Sequence, residues 1–138
     1  MDLNECFRKG LIKKTRVDTD LIRSLIEMSN IKETAVKTAD INEKTISAYV
    51  SLAYDSLREI LEALCILNGY KVLSHICIGE LLKDIIQEFD FDEFDRLRWI
   101  RNSINYYGKK VDFEQGNGVI NKIFATKRKI LEKYLDKF

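Results

Sequence analysis

DINEKTISAYVSLAYDSLREILEALCILNG, residues 40–69, carries the strongest helical pattern in the chain. Ile46, Tyr49, Val50, Ala53, Tyr54, Leu57, Ile60, Leu61, Leu64 and Cys65 recur at three- and four-residue intervals. On a helix they form one apolar stripe more than about five turns long. Asp55, Arg58, Glu59 and Glu62 fall opposite and read as the solvent side. Asp40-Ile41-Asn42-Glu43 resembles a capping box with Glu43 at the third helical position. Asn68-Gly69 supplies the left-handed stop at the other end. So long a stripe needs other elements to cover it, which predicts a central core helix.

The same spacing recurs outward from it. Toward the N-terminus, Leu21, Leu25, Met28, Ala35 and Ala39 predict a helix over about 19–38, capped by Asp18 or Thr19. Residues 1–17 read as an arm with a short amphipathic piece stopped near Gly10, tucked onto the body by Leu11 and Ile12. Toward the C-terminus, Tyr70–Leu73 is a short connection, and Ser74 caps a helix over about 75–88. Gly79 within it costs about 1 kcal/mol against alanine and so marks close packing on a neighbour. Phe89–Asp92 reads as a turn, followed by a helix over about 92–107 that stops at Gly108. Lys109–Gly118 reads as a loop punctuated by Gly116-Asn117-Gly118. A last helix, about 117–136, buries Val119, Ile120, Ile123, Phe124, Ile130, Leu131, Tyr134 and Leu135. It leaves Lys122, Lys129, Lys133 and Lys137 in solvent. No segment alternates with period two. The expectation is all-α: a single domain, 1–138, built as an up-and-down bundle of about five helices.

Composition agrees with one globular domain. The chain has 138 residues, 46% hydrophobic and 33% charged, and no proline to break long helices. A net charge of +1 sets up no strong overall field toward nucleic acid or membrane. The charge is unevenly placed: residues 80–95 are acidic, while 8–16 and 122–137 are basic. Cys6, Cys65 and Cys77 are odd in number and lack CxxC spacing, so they read as reduced thiols of an intracellular protein. The charged N-terminus lacks a signal-peptide core, and no apolar run suits a bilayer. A cytoplasmic protein is expected.

Few chemistries survive. The sequence has no phosphate-binding loop, nucleophile elbow or zinc-binding histidine pair. A lone histidine, His75, excludes a multi-histidine metal site, and its place beside a helix cap favours a structural role over that of a base. No metal or cofactor is expected. What stands out is residues 98–108. Phe94, Leu97, Ile100, Ile104 and Tyr107 form the apolar face of that helix, and Arg98, Arg101, Asn102 and Asn105 form a second, wholly polar stripe. Asparagine is a poor choice inside a helix, so two within a turn and a half point to a use beyond helicity. Arginine binds phosphate bidentately. Trp99, Tyr106 or Tyr107 can stack on an unpaired base. The stripe therefore suits RNA or a nucleotide. Read structurally, it is a solvated face, and the protein a monomer with no affinity for nucleic acid.

The order of elements resembles the HEPN family (higher eukaryotes and prokaryotes nucleotide-binding domain) from about Gly10 to Leu135. Tyr54-Asp55-Ser56-Leu57-Arg58-Glu59 with Leu67-Asn68-Gly69-Tyr70-Lys71 is similar to its second helix, and Ser74-His75 to the opening of its third. Arg101-Asn102-Ser103-Ile104-Asn105-Tyr106-Tyr107 is similar to its signature: an arginine, a polar residue, a few variable positions and a histidine. The resemblance implies a bundle that dimerises through the signature helices, with both arginines at a shared cleft. Many members are metal-independent ribonucleases, often toxins encoded beside a minimal nucleotidyltransferase. There a ribose 2′-hydroxyl attacks its own phosphodiester, the histidine moves the proton, and the arginine stabilises the phosphorane charge. This chain has Tyr106, Tyr107 and Gly108 where the histidine stands. An ordinary tyrosine is only ~0.1% deprotonated at pH 7 and is a poor base. Arg101 and Asn102 carry over as phosphate contacts, with Tyr106 and Tyr107 in the histidine's place. Arg98, Trp99 and Asn105 are added from the stripe. The expectation is a homodimer that binds RNA or nucleotide in its interface cleft, in a toxin–antitoxin-type system with a nucleotidyltransferase partner and without strong nuclease activity. The alternative is an active ribonuclease toxin using Arg101.

Overall fold

The computed structural model describes all of residues 1–138. In chain order its elements are α1 (Leu3–Arg8), β1 (Ile12–Lys14), α2 (Thr19–Thr38), α3 (Ile46–Leu67), β2 (Tyr70–Val72), α4 (His75–Ile85), α5 (Phe91–Tyr107) and α6 (Phe113–Tyr134). The molecule is a helical bundle organised around α3, which touches α2, α4, α5, α6 and β2. Every residue of the α3 apolar stripe except Tyr49 is fully or almost fully buried. Burying each large member, such as Leu57 or Ile60, contributes roughly 1.5–3 kcal/mol. Asp18 caps α2 through its side chain, and Gly69 (φ +87°) and Gly108 (φ +64°) sit past the ends of α3 and α5 in the left-handed conformation. No helix is long and apolar enough to cross a membrane.

The buried face of α2 is Ile22, Ser29 and Val36, with the expected Met28 and Ala35 exposed, and Ser74 precedes α4 without a side-chain cap bond. The bundle departs from the sequence expectation in five larger respects. The first is the start of α3, at Ile46. The Asp40–Glu43 box does not form. Instead Asn42 Oδ1 accepts from the Lys44 N–H at 2.8 Å, and Thr45 Oγ1 accepts from the Asn42 N–H at 3.0 Å. This Asx-type turn competes with the helix and delays it. The second is α6, which begins at Phe113, capped by Asp112, so Gly116 and Gly118 lie inside it. A Cβ on Gly116 would stand 2.3 Å from Ile46 Cγ1. That glycine is a contact point between helices rather than loop punctuation.

The third is a two-stranded antiparallel sheet, Ile12↔Val72 to Lys14↔Tyr70, which fastens the N-terminal arm to the turn after α3. Three-residue strands are too short to show period-two patterning. The fourth is the polar side of α3, which is covered and not solvated. Glu59 is buried and meets Lys32 Nζ at 2.7 Å, and Arg58 Nη1 donates to Glu62 at 2.5 Å. Helices packed all round α3 force its charges to pair with each other or with a neighbouring helix.

The fifth concerns the cysteines. Cys6 and Cys77 form a disulfide across 71 residues, joining α1 to α4. The expectation of three reduced thiols holds only for Cys65, which is buried in α3 with its thiol pushed up to about 12, chiefly by burial. No local spacing announces such a bond, because the β1–β2 pairing is what brings the arm to α4. Gly79 is a close-packing position as expected: a Cβ there would stand 3.1 Å from the rings of Phe91 and Phe94.

Candidate functional site

Asp90 caps α5, its Oδ1 accepting from the Glu93 N–H at 3.0 Å. Asp92 and Glu93 in its first turn suit the positive end of the helix dipole. Phe94 and Leu97 anchor it in the core, and Ile100 and Ile104 are half-buried. Tyr107, expected on that apolar face, is 70% exposed, as is Tyr106, because the helix has run past the core by then.

The expected single polar stripe is divided. Arg98 and Asn102 turn toward α4, and with Trp99, Tyr106 and Tyr107 they line a cleft of about 470 Å³. Ile76, Gly79 and Glu80 form its α4 side, and Met1 of the arm also lines it. Arg101 and Asn105 do not line this cleft. They face α3, where Arg101 Nη2 meets Asp55 Oδ1 at 3.4 Å. With its oxygen turned to Arg101, the Asn105 amide accepts from Nε at 3.1 Å and donates to Ser51 Oγ at 3.0 Å. The two halves share one helix but play different parts. One presents groups to a cavity, and the other pins α5 to the central helix. A groove of similar size, about 490 Å³, runs beside α2 and Phe138 and holds none of the expected site residues.

Neither arginine is free. Arg98 is buried, and its Nε and Nη2 both reach Asp95 Oδ1, at 3.1 and 2.8 Å. Its guanidinium also lies 5.1 Å from the Trp99 ring, within cation–π range. Arg101 stands over the Tyr54 ring at 5.7 Å and near Tyr106 at 5.9 Å. Pairing with Asp95 and Asp55 neutralises both charges, so the cleft offers flat aromatic surface and hydrogen-bonding groups more than net positive charge. No three histidine, cysteine or acidic side chains come together as a metal site.

Sequence reasoning passed over the group behind Arg101. Tyr54 is fully buried, its hydroxyl has no hydrogen-bond partner, and burial drives its pKa above the ordinary tyrosine value. His75 packs on it, with ring centroids 5.8 Å apart. Burial, then the nearby Arg58 and Arg101 charges, push the imidazole down to about 4, with Asp55 opposing. By its spacing Tyr54 reads as core, and by its position His75 reads as a cap residue. Only the crossing of α3, α4 and α5 shows that they share one charged neighbourhood.

This depression carries a stability consequence. A histidine whose folded pKa lies below its ordinary 6.5 contributes stability that is full above 6.5. That contribution is lost as the pH falls from 6.5 toward 4. The wild-type melting temperature should therefore fall over that window, and His75→Gln should flatten the fall, measured by thermal unfolding at a series of pH values. An unchanged slope in the variant would assign the acid sensitivity to carboxylates instead.

In comparisons with protein-family models, curated proteins and solved structures, nothing matches the chain.

Proposed function

We propose that this protein is an HEPN-like helical domain that binds RNA or a nucleotide in the cleft along α5. It acts as a cytoplasmic homodimer joined through α5, in a toxin–antitoxin-type system with a minimal nucleotidyltransferase partner. It lacks strong nuclease activity. The observation that carries the binding reading is the convergence of Trp99, Tyr106 and Tyr107 with Arg98 and Asn102 on one cavity. Each base stacked on an aromatic side chain is worth about 1–3 kcal/mol, so two stacked bases contribute about 2–6 kcal/mol of sequence-tolerant affinity without a strong field. Trp99 is 53% exposed and shares the cleft with Tyr106 and Tyr107, each 70% exposed, and a grouped aromatic surface of this kind marks a binding face. A second copy of α5 or a base would cover that surface. Weak catalysis fits the engagement of Arg101 by Asp55 and Asn105, which leaves its guanidinium little freedom to follow a phosphorane.

A second reading, a metal-independent ribonuclease centred on Arg101, draws support from His75. The only imidazole lies in the same charged neighbourhood and is neutral at pH 7, able to accept a proton. Its weakness ranks this reading second. A base poised at about 4 captures little of the driving force that one near 7 would supply.

Incubation of total cellular RNA with the purified protein in EDTA, beside Arg101→Ala, separates the readings. The expected result is retention of RNA or nucleotide without discrete cleavage. Discrete EDTA-resistant cleavage, lost in a folded Arg101→Ala protein, would establish the ribonuclease. A monomer that neither binds nor cleaves would return α5 to a plain surface helix.

A further inference from the structure

The N-terminal arm reaches the cleft. Met1 lines it, and its Sδ lies 3.9 Å from Cys77 Sγ. Cys77 sits in α4 between two residues of the cleft wall, Ile76 and Gly79. The Cys6–Cys77 bond therefore fastens the segment that overhangs the cavity to the helix that forms its side.

Apart from Leu3, half-buried against the core, little else holds that segment. The helix α1 has six residues, far too few to be stable alone. Cys6 is its only fully buried side chain. The Asp2 cap on the Glu5 N–H and the Lys9–Glu5 ion pair lie within the arm and are exposed. Phe7 adds one edge-on contact to Tyr70 at 6.0 Å while 40% exposed. The next firm attachment is the Leu73 N–H bond to the Leu11 carbonyl at 2.8 Å and the strand ladder that follows. Between the two stands Gly10, with φ +71° and nothing within 4 Å of where a Cβ would be. It is the left-handed cap of α1: its N–H donates to the Phe7 carbonyl at 3.1 Å and the Leu11 N–H to the Cys6 carbonyl at 2.9 Å, so residues 1–10 form one small unit.

We propose that the Cys6–Cys77 pair is a redox latch on the α5 cleft. Oxidised, it holds Met1 against the cavity. Reduced, residues 1–10 swing away as a unit while the Leu11 carbonyl and β1 stay paired, and the cavity opens. The electron donor is a dithiol. One of its thiolates attacks a sulfur of the pair and breaks the bond, and its second thiol resolves the mixed disulfide. The dithiol leaves as its own disulfide, and one proton ends on each of Cys6 and Cys77. Both sulfurs are buried, so this exchange waits on opening of α1. The variant Cys6→Ser reaches the open state without it. That the opened cavity takes RNA or nucleotide rests on the function proposed above, whereas the release of the arm does not.

The test is amide hydrogen exchange on the full chain in three states: oxidised wild type, wild type treated with dithiothreitol, and untreated Cys6→Ser. Acrylamide quenching of the fluorescence of Trp99, the only tryptophan, follows the cavity directly. In the second and third states, amides 3–9 should lose protection while 12–14 and 46–67 keep theirs. The quenching constant should rise by less than twofold, because Trp99 is already 53% exposed. Arm protection unchanged in both states would overturn the latch. So would a loss that spreads through α3 and α4, which would make the bond a staple for the whole fold. A short unstructured oligoribonucleotide added to each state then reports separately on the binding reading. Tighter binding in the open states supports both proposals. An arm that releases with the expected rise in quenching, and with no binding in any state, supports the latch and overturns the binding reading.

Discussion

Glu33→Ala should lower the free energy of unfolding by about 3 kcal/mol, whereas Lys127→Met should change it by less than about 1 kcal/mol. The asymmetry follows from burial. Lys127 is 1% exposed, with its ammonium 2.7 Å from Glu33 Oε1 and 3.0 Å from Asn30 Oδ1. Taking away the carboxylate strands a charge in the core, which costs about 3–5 kcal/mol in comparable pairs. The low end applies here because Asn30 remains. Taking away the lysine instead removes the buried charge itself. It leaves Glu33, whose side chain is 20% exposed, still paired with Lys37 Nζ at 2.5 Å. Methionine fills most of the vacated space. Chemical denaturation of both variants and of the double variant checks this, and the double variant should recover most of what Glu33→Ala loses. For a domain of this size 3 kcal/mol corresponds to a melting shift of roughly 10 °C. Equal losses in the two single variants would show that the lysine is not held by Glu33. Burial tends to raise the Glu33 pKa, but the hydrogen bonds from Lys127 and Lys37 outweigh it and leave the group below its usual 4.5. The pair's contribution is thus present above 4.5 and lost as the pH falls through the lowered value.

That lysine also shows where sequence reading stops. Lys127 stands in a basic run, Lys122 to Lys137, whose other lysines at 122, 129, 133 and 137 are in solvent as their spacing implies. Periodicity places a residue on a face, but it does not say which faces are covered on all sides. The stripe of α3, the caps at Asp18 and Gly108 and the close packing at Gly79 were legible because each is a local device with its own residue signature. The Gly116 contact with Ile46, the strands and the Cys6–Cys77 bond were not, because each depends on residues far apart in the chain. The candidate site divides the same way. Its residues on α5 were legible as a helical stripe. The facts that Arg98 and Arg101 serve different neighbours, and that Tyr54 and His75 stand behind Arg101, come from how three helices cross.

Trp99→Ala should weaken the binding of a short unstructured oligoribonucleotide by about 2 kcal/mol, roughly thirtyfold, and Tyr106→Ala by about 1 kcal/mol. Both side chains are more than half exposed, so neither change should alter stability by more than about 0.5 kcal/mol. Arg98→Ala should behave differently from an ordinary phosphate contact. A free arginine on a phosphate contributes close to one unit to the slope of log affinity against log salt. The Arg98 guanidinium is already paired twice with Asp95 Oδ1, so its removal should change that slope by well under one unit. Asp95→Asn should do the opposite, freeing a positive charge beside Trp99 and raising both affinity and salt dependence. Titrations by fluorescence anisotropy at several salt concentrations measure all four variants. Full binding in Trp99→Ala, with a unit change of slope in Arg98→Ala, would make the cleft a phosphate site and remove stacking from its mechanism. The expected pattern, a large loss at Trp99 with little change in slope, is that of a surface that holds bases by their faces, keeps Arg98 neutralised beside them, and uses Arg101 to fix the helix that presents them.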